Sequence, residues 1–345
     1  MKPASCTNQG MLLPVANAGH VPPQIAEASI PAPVVARLGP YPVPLHRIFA
    51  AILRGEYGPA DSAGLPLVDY DRLFARNHIP SPGKIGPQYT PVTLAFFGLG
   101  HFARWQQEGA GDSERCFRRA AEWLVAHQVN ARGTGGVWLH HFPMPHLPPL
   151  IEYMPGAWIS AMAQGLGASL LLRAFAASAR EEYLRAAHAS LLPCKFAIAE
   201  GGVAWELPGG RLFLEEFPAA PPLHVLNGAL FALIGLAEFL HCGSEAELKT
   251  VYSRALSGLL ALLPEFDRGY GSLYDLRRRQ IANNEYHDLH VNLLLALGEL
   301  TQLPELLATG RRWRAYSPSR CKRVQRWLAE RSWALQRRLR LGEAK

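Results

Sequence analysis

Four segments of this 345-residue chain are apolar on nearly every side: Pro91–Trp105, Ala157–Phe175, Leu223–Leu240 and His287–Leu300. A helix that is hydrophobic all round must be buried over most of its surface. None holds a run of about 18 uninterrupted apolar residues, so none reads as a membrane span. Each is followed by a more polar, one-faced segment: Ser113–Gln128, Ala179–Leu192, Ala246–Leu263 and Ser319–Leu339. In the first of these, Phe117, Ala120, Ala121, Leu124 and Val125 form one stripe, with Glu114, Arg118, Arg119 and Glu122 off it. The buried segments begin near 91, 157, 223 and 287, and Gly100, Gly167, Gly235 and Gly298 echo that spacing. An inner helix followed by an outer helix, repeated four times, predicts an all-α-dominated fold. The expected form is an α/α toroid of about four helical hairpins with short β-hairpins in the connecting loops. Two separate helical bundles are the alternative.

The connections back to the inner helices are long: 130–156, 193–222 and 265–286. In a ring they gather at one end, together with the positively polarised N-termini of the inner helices, which suit an anion. Loops of that length are usually functional or carry strands of their own. Residues 203–217 read as a hairpin turning at Pro208-Gly209-Gly210. Alternation along its second strand would let only one of Glu215 and Glu216 face a central cavity. Residues 1–45 read as an irregular Pro/Ala-rich leader, 46–310 as the toroid, and 311–345 as a basic C-terminal helix packed on it.

Charge is unevenly placed. Residues 311–345 carry 12 Lys/Arg against 2 Asp/Glu, while the other 310 residues are slightly acidic. The tail could meet a polyanion or an acidic membrane surface. It could equally be a solvated helix face, with Trp313, Val324, Trp327, Leu328 and Leu335 at roughly helical spacing. Nucleic-acid binding is not expected. The five cysteines (Cys6, Cys116, Cys194, Cys242, Cys321) are scattered without metal or redox spacing. Free thiols, and no evident signal segment, point to a cytoplasmic protein.

Residues 269–292 hold three tyrosines, three consecutive arginines (Arg277–Arg279), and Glu285, His287, Asp288 and His290 around Tyr286. Proton transfer on an anionic substrate would use each of these types: arginine for a carboxylate, tyrosine or histidine for the proton. The histidine pair also admits a zinc reading with His140, His141 and His146. Without a closer ligand pattern, hydrogen bonding that orients Tyr286 or a sugar is the better reading, and no metal or cofactor is expected.

Several runs, in order, carry a resemblance. GPQYTPVTLAFFGLGHF (86–102), GGVW (135–138), WISAMAQGLGASLLLRAF (158–175), EEFP (215–218), HVLNGALFALIGL (224–236), LYDLRR (273–278) and EYHDLHVN (285–292) together resemble the C-terminal domain of D-glucuronyl C5-epimerases. Those enzymes convert D-glucuronate to L-iduronate within heparosan-type chains. The resemblance implies a C5 epimerase acting on an acidic polysaccharide or oligosaccharide, by proton removal from one face of the sugar and re-addition on the other. It implies Glu216, Tyr274 and Tyr286 as catalytic residues, with Glu216 and Tyr286 on opposite faces. Arg277 becomes a candidate carboxylate clamp. Gln88, Tyr89, Trp138, Gln164, Glu215, Asn227, His287 and His290 are candidate substrate contacts, since amides and aromatics suit sugar hydroxyls and ring faces.

Phe217 stands where the family motif EEYP has tyrosine. Only about 85 residues precede the first buried helix, so the β-rich region of animal-type relatives is not expected here. A homodimer remains open. Each residue also has a purely structural reading: a strand carboxylate for Glu216, wedge aromatics for the tyrosines, a partner for Asp275 in Arg277, and core for Trp158. A uronate lyase begins with the same proton abstraction, and a non-catalytic polyuronate-binding protein needs none.

Overall fold

The computed structural model describes residues 38–76, 79, 83–131, 133–144, 156–243 and 245–342. Helix α1 (His46–Leu53), strand β1 (Val68–Asp69), helix α2 (Tyr70–Arg76) and strand β2 (Pro87–Gln88) lead into the helical body, β1 pairing antiparallel with β2. The body then runs α3 (Pro91–Glu108), α4 (Gly111–Ala126), β3 (Val129–Asn130), β4 (Gly136–Val137), α5 (Ala161–Ser178) and α6 (Glu181–Leu191). It continues with β5 (Ala204–Leu207), β6 (Arg211–Leu214), α7 (Leu226–Cys242), α8 (Ala246–Phe266), α9 (Asn284–Thr301), α10 (Pro304–Arg314) and α11 (Arg320–Gly342).

The four all-apolar segments are α3, α5, α7 and α9. Neighbours touch in chain order, α3 on α5, α5 on α7 and α7 on α9, and each packs against the helix that follows it. Their starts are fixed by polar caps. Thr90 Oγ1 accepts the Thr93 N–H at 3.1 Å, and Asn283 Oδ1 accepts the Tyr286 N–H at 2.9 Å. Where α5 crosses α7 the backbones nearly touch: a Cβ on Gly235 would lie 2.4 Å from the Gly165 carbonyl oxygen. That crossing admits only glycine at 235 without displacement.

Three features differ from the sequence expectation. The partner of α9 is the short α10, not Ser319–Leu339, which forms the separate helix α11. The apolar spacing of α11 imitated an outer helix, but that stripe faces away from the body. The end of the expected leader is packed, with Tyr41, Val43 and Leu45 buried, while residues 1–37 lie outside the described residues. Finally, strand β6 ends at Leu214, so alternation does not carry on to Glu215 and Glu216, and both are buried.

The hairpin β5–β6 turns at Pro208–Gly210, with positive φ at both glycines. Its end and the connection before α9 are each stitched to the N-terminus of an inner helix. Ala161 N–H, at the start of α5, donates to the Glu215 carbonyl at 3.1 Å, and Leu226 N–H, at the start of α7, donates to the Tyr274 carbonyl at 3.0 Å. No described helix is long and apolar enough to cross a membrane.

Candidate active site

Glu216 lies just beyond β6, in the floor formed by the first turn of α7. Its side chain covers Gly228, where a Cβ would fall 2.3 Å from the Glu216 Cβ; only glycine allows this approach. The Asn227 amide donates to Glu216 Oε2 at 3.1 Å. Two phenols lie within reach of its charge. Tyr274 comes from the connection before α9 and Tyr286 from the first turn of α9; their rings meet edge to face with centroids 5.0 Å apart. The Glu216 carboxylate acts electrostatically on both. Tyr286 is 40% exposed and so open to solvent and to a ligand.

The arginine that reaches this group is Arg278. Its guanidinium lies 6.0 Å from the centre of the Tyr274 ring and its charge is felt by Glu216. Asp275, wholly buried, holds it through the Arg278 N–H at 2.6 Å and Nε at 3.0 Å. Arg277, the residue singled out in the sequence, is exposed on the same loop. One wall is aromatic: Trp158 lies 5.6 Å from Phe217, and both belong to an apolar cluster with Phe142 and Tyr70 of α2. Tyr70 packs on Phe142, ring centroids 4.0 Å apart and tilted, and is close enough to Glu216 to feel its charge.

Desolvation dominates the electrostatics. Burial pushes the Glu216 carboxyl up to about 8, against weaker stabilisation of its charge by Asn227 and Arg278. Burial, with the charge of Glu216 nearby, holds Tyr274 and Tyr286 above the ordinary phenol range. These phenols are therefore proton donors at rest. Glu216, unlike an exposed carboxylate, exchanges its proton near neutral pH.

The family model described as "D-glucuronyl C5-epimerase C-terminus" matches residues 133–315, more than half of the chain. This chain belongs to that family. Glu216, Tyr274, Tyr286 and Arg278 all lie in the matched stretch. The D-glucuronyl C5-epimerase of Caenorhabditis elegans is 34% identical over 219 residues, which are 58% of this chain and 35% of that protein. The chain thus spans about a third of that relative's length. An uncharacterised protein of Methanocaldococcus jannaschii is 25% identical over 301 residues, 77% of this chain and 96% of the other. Among solved structures, a UGL variant with dGlcA-Glc-Rha-Glc is similar at TM-score 0.41 and 18% identity, over 65% of this chain and 60% of that one.

The other residues selected from the sequence divide by position. Asn227 is part of the cluster. Glu215 is completely buried and turned to His224, whose backbone N–H and Nδ1 lie 3.0 and 2.6 Å from its two carboxylate oxygens. Burial raises its pKa while His224 draws it back. His287 and His290 are also wholly buried, both on Ser272. The Ser272 N–H donates to His287 Nδ1, so the His287 Nε2–H donates to the Trp313 carbonyl. The Ser272 hydroxyl then donates to His287 and accepts from the Nδ1–H of His290. Both rings are neutral in this arrangement, and they clamp the Tyr274 loop to the helix that carries Tyr286.

Trp138 and Gln164 are core groups. The Trp138 indole donates to the Leu124 carbonyl at 2.7 Å, and the Gln164 amide, correctly oriented, donates to the Ser190 and Gly136 carbonyls. Gln88 bonds the Ile85 carbonyl, and Tyr89 bonds Asp61 and packs on Trp123. His140 is buried flat against Trp158, and His146 lies outside the described residues. Among the described residues no three metal-ligating side chains converge. A cleft of about 450 Å³ lined by Tyr41, His46, Phe49 and Arg104 shares no residue with the Glu216 cluster.

Sequence reasoning missed Arg278, Tyr70 and His224. Asp275, three positions before Arg278, was the available signal for the first; Tyr70 carries no local motif.

Proposed function

We propose that this chain catalyses C5 epimerisation of D-glucuronate residues to L-iduronate in an acidic, heparosan-like polysaccharide or oligosaccharide. The observation that carries the reading is a desolvated carboxyl facing two phenols beside a fixed guanidinium. The C5 hydrogen is α to a carboxylate, and its removal spreads a second negative charge onto that group. Arg278 and the Tyr274 hydroxyl are suited to stabilise the growing charge. Glu216, ionised in the productive complex, takes the C5 proton. Its raised pKa makes it a stronger base than an exposed carboxylate. Tyr286 donates its proton to the opposite face, leaving a phenolate. Proton return from Glu216 to Tyr286, through Tyr274, resets the site, and neither step needs a cofactor. We also take the four hairpins to close as an α/α toroid around this cluster.

Phe217 removes the hydroxyl that the family motif keeps beside Glu216. Tyr70, in the same cluster as Phe217, is the phenol we assign to replace it. It is a positioning residue that steadies the protonated form of Glu216.

The test is incubation with heparosan in D₂O, followed by NMR of the uronate C5. Solvent deuterium at C5 together with iduronate signals supports epimerisation. A new ultraviolet absorbance from an unsaturated uronate would mean elimination instead. Saturable binding with no exchange would mean a binding protein.

A further inference from the structure

Helix α11 is inverted relative to an ordinary surface helix. Its inward-facing residues are Lys322, Arg326, Ala329, Glu330 and Trp333, spaced three and four apart. Arg326 is 2% exposed with its chain against Gly271, Lys322 sits over the Tyr316 ring, and the Trp333 indole donates to the Arg278 carbonyl at 3.3 Å. Most of its large apolar residues, Trp333 apart, point out. Val324, Trp327, Leu328, Leu335 and Leu339 are all roughly half exposed or more and share one face. That stripe is about 22 Å long at 1.5 Å per residue. Exposed Arg320, four positions before Val324, and Arg331, four from both Trp327 and Leu335, lie on the same face and break the stripe with charge. Arg323 lies at its edge, and the Arg331 guanidinium is 4.3 Å from the centre of the Trp327 ring.

An apolar stripe of this size facing water marks an interaction site. Charge selects what covers it. The described exposed charges on and beside the stripe, Arg320, Arg323 and Arg331, are all basic, so two copies laid face to face would repel. A soluble polyanion would answer the arginines but leave the leucines and Trp327 wet. An anionic bilayer surface satisfies both, taking the stripe among its acyl chains and the arginines among its headgroups. We infer that α11 seats this protein on an anionic membrane surface, lying in the interface without crossing it.

The experiment is co-sedimentation of the full chain with two kinds of vesicle, phosphatidylcholine alone and phosphatidylcholine with 30 mol% phosphatidylglycerol. The expected result is at least tenfold more bound protein on the anionic vesicles, falling as salt is raised. In Leu328→Glu/Leu335→Glu, both positions already in water, binding should drop to the level of neutral vesicles while the melting temperature stays unchanged. Equal binding to the two vesicle types, or anionic binding untouched by the double substitution, overturns the inference. So does a dimer in solution that the double substitution dissolves without any vesicle binding, or heparosan binding that depends on Leu328 and Leu335. C5 exchange is not a readout here, so this inference stands or falls apart from the proposed reaction.

Discussion

At Glu216 the proposed chemistry and stability pull in opposite directions. Burial raises its carboxyl to about 8, so between roughly pH 4.5 and 8 the folded chain holds a proton that the unfolded chain has released. Stability from this group is full below that window and lost as pH rises through it. Glu216→Gln should therefore stabilise the fold at pH 9, on the order of a few kcal/mol, with the gain gone by pH 4. Urea unfolding at a series of pH values measures it; no gain at pH 9 would mean a hydrated carboxylate. The same substitution should lower C5 exchange by roughly 10²- to 10⁴-fold. Tyr70→Phe should lower kcat/KM about tenfold, the scale of one hydrogen bond, and shift the limb of the pH profile that reports Glu216. Adding Phe217→Tyr should restore both. A purely structural Tyr70 would leave the profile in place and gain nothing from the second change. None of this could be ranked from sequence alone: three consecutive arginines look alike until Asp275 fixes the middle one, and Tyr70 reaches the site only through tertiary packing.

The elements that carry the phenols are joined by Ser272, His287 and His290. Burial lowers the two histidines to about 4 and about 3. Below the ordinary histidine value the unfolded chain binds protons that the folded chain refuses, so stability falls as pH drops from about 6.5 toward 3. His290→Phe should flatten that slope. Ser272→Ala keeps the backbone bond to His287 but leaves the buried Nδ1–H of His290 unpaired. That should cost about 1–3 kcal/mol and slow exchange by loosening Tyr274; unfolding curves and exchange rates check the pair. The inner helices were legible because apolarity on every side survives any rotation of the helix. The hairpin was legible from its Pro-Gly-Gly turn. The fourth outer helix was not, because α10 is short and basic while α11 has the more regular apolar spacing. The second strand was read too long, since it stops at Leu214, yet of the two glutamates only Glu216 joins the cluster while Glu215 turns to His224.

Across the whole molecule, the proposed site lies at the N-terminal ends of α7 and α9, and a buried ion pair lies toward the other end of α5 and α7. Arg173 and Glu238, both almost wholly buried, meet at 2.7 and 3.0 Å, with Tyr41 packed under the guanidinium. Arg173→Ala strands the Glu238 charge and should cost about 3–5 kcal/mol in urea unfolding, leaving the pH profile of exchange unmoved. A shifted profile would show that the two ends are not independent. The account rests most heavily on two different groups serving the two faces of one carbon. The direct measurement is wash-out of C5 deuterium from labelled glucuronate and labelled iduronate chains by Glu216→Gln and Tyr286→Phe. The expected result is asymmetry: one variant fails to release the label from glucuronate, and the other fails to release it from iduronate. Equal wash-out from both epimers in either variant would contradict it.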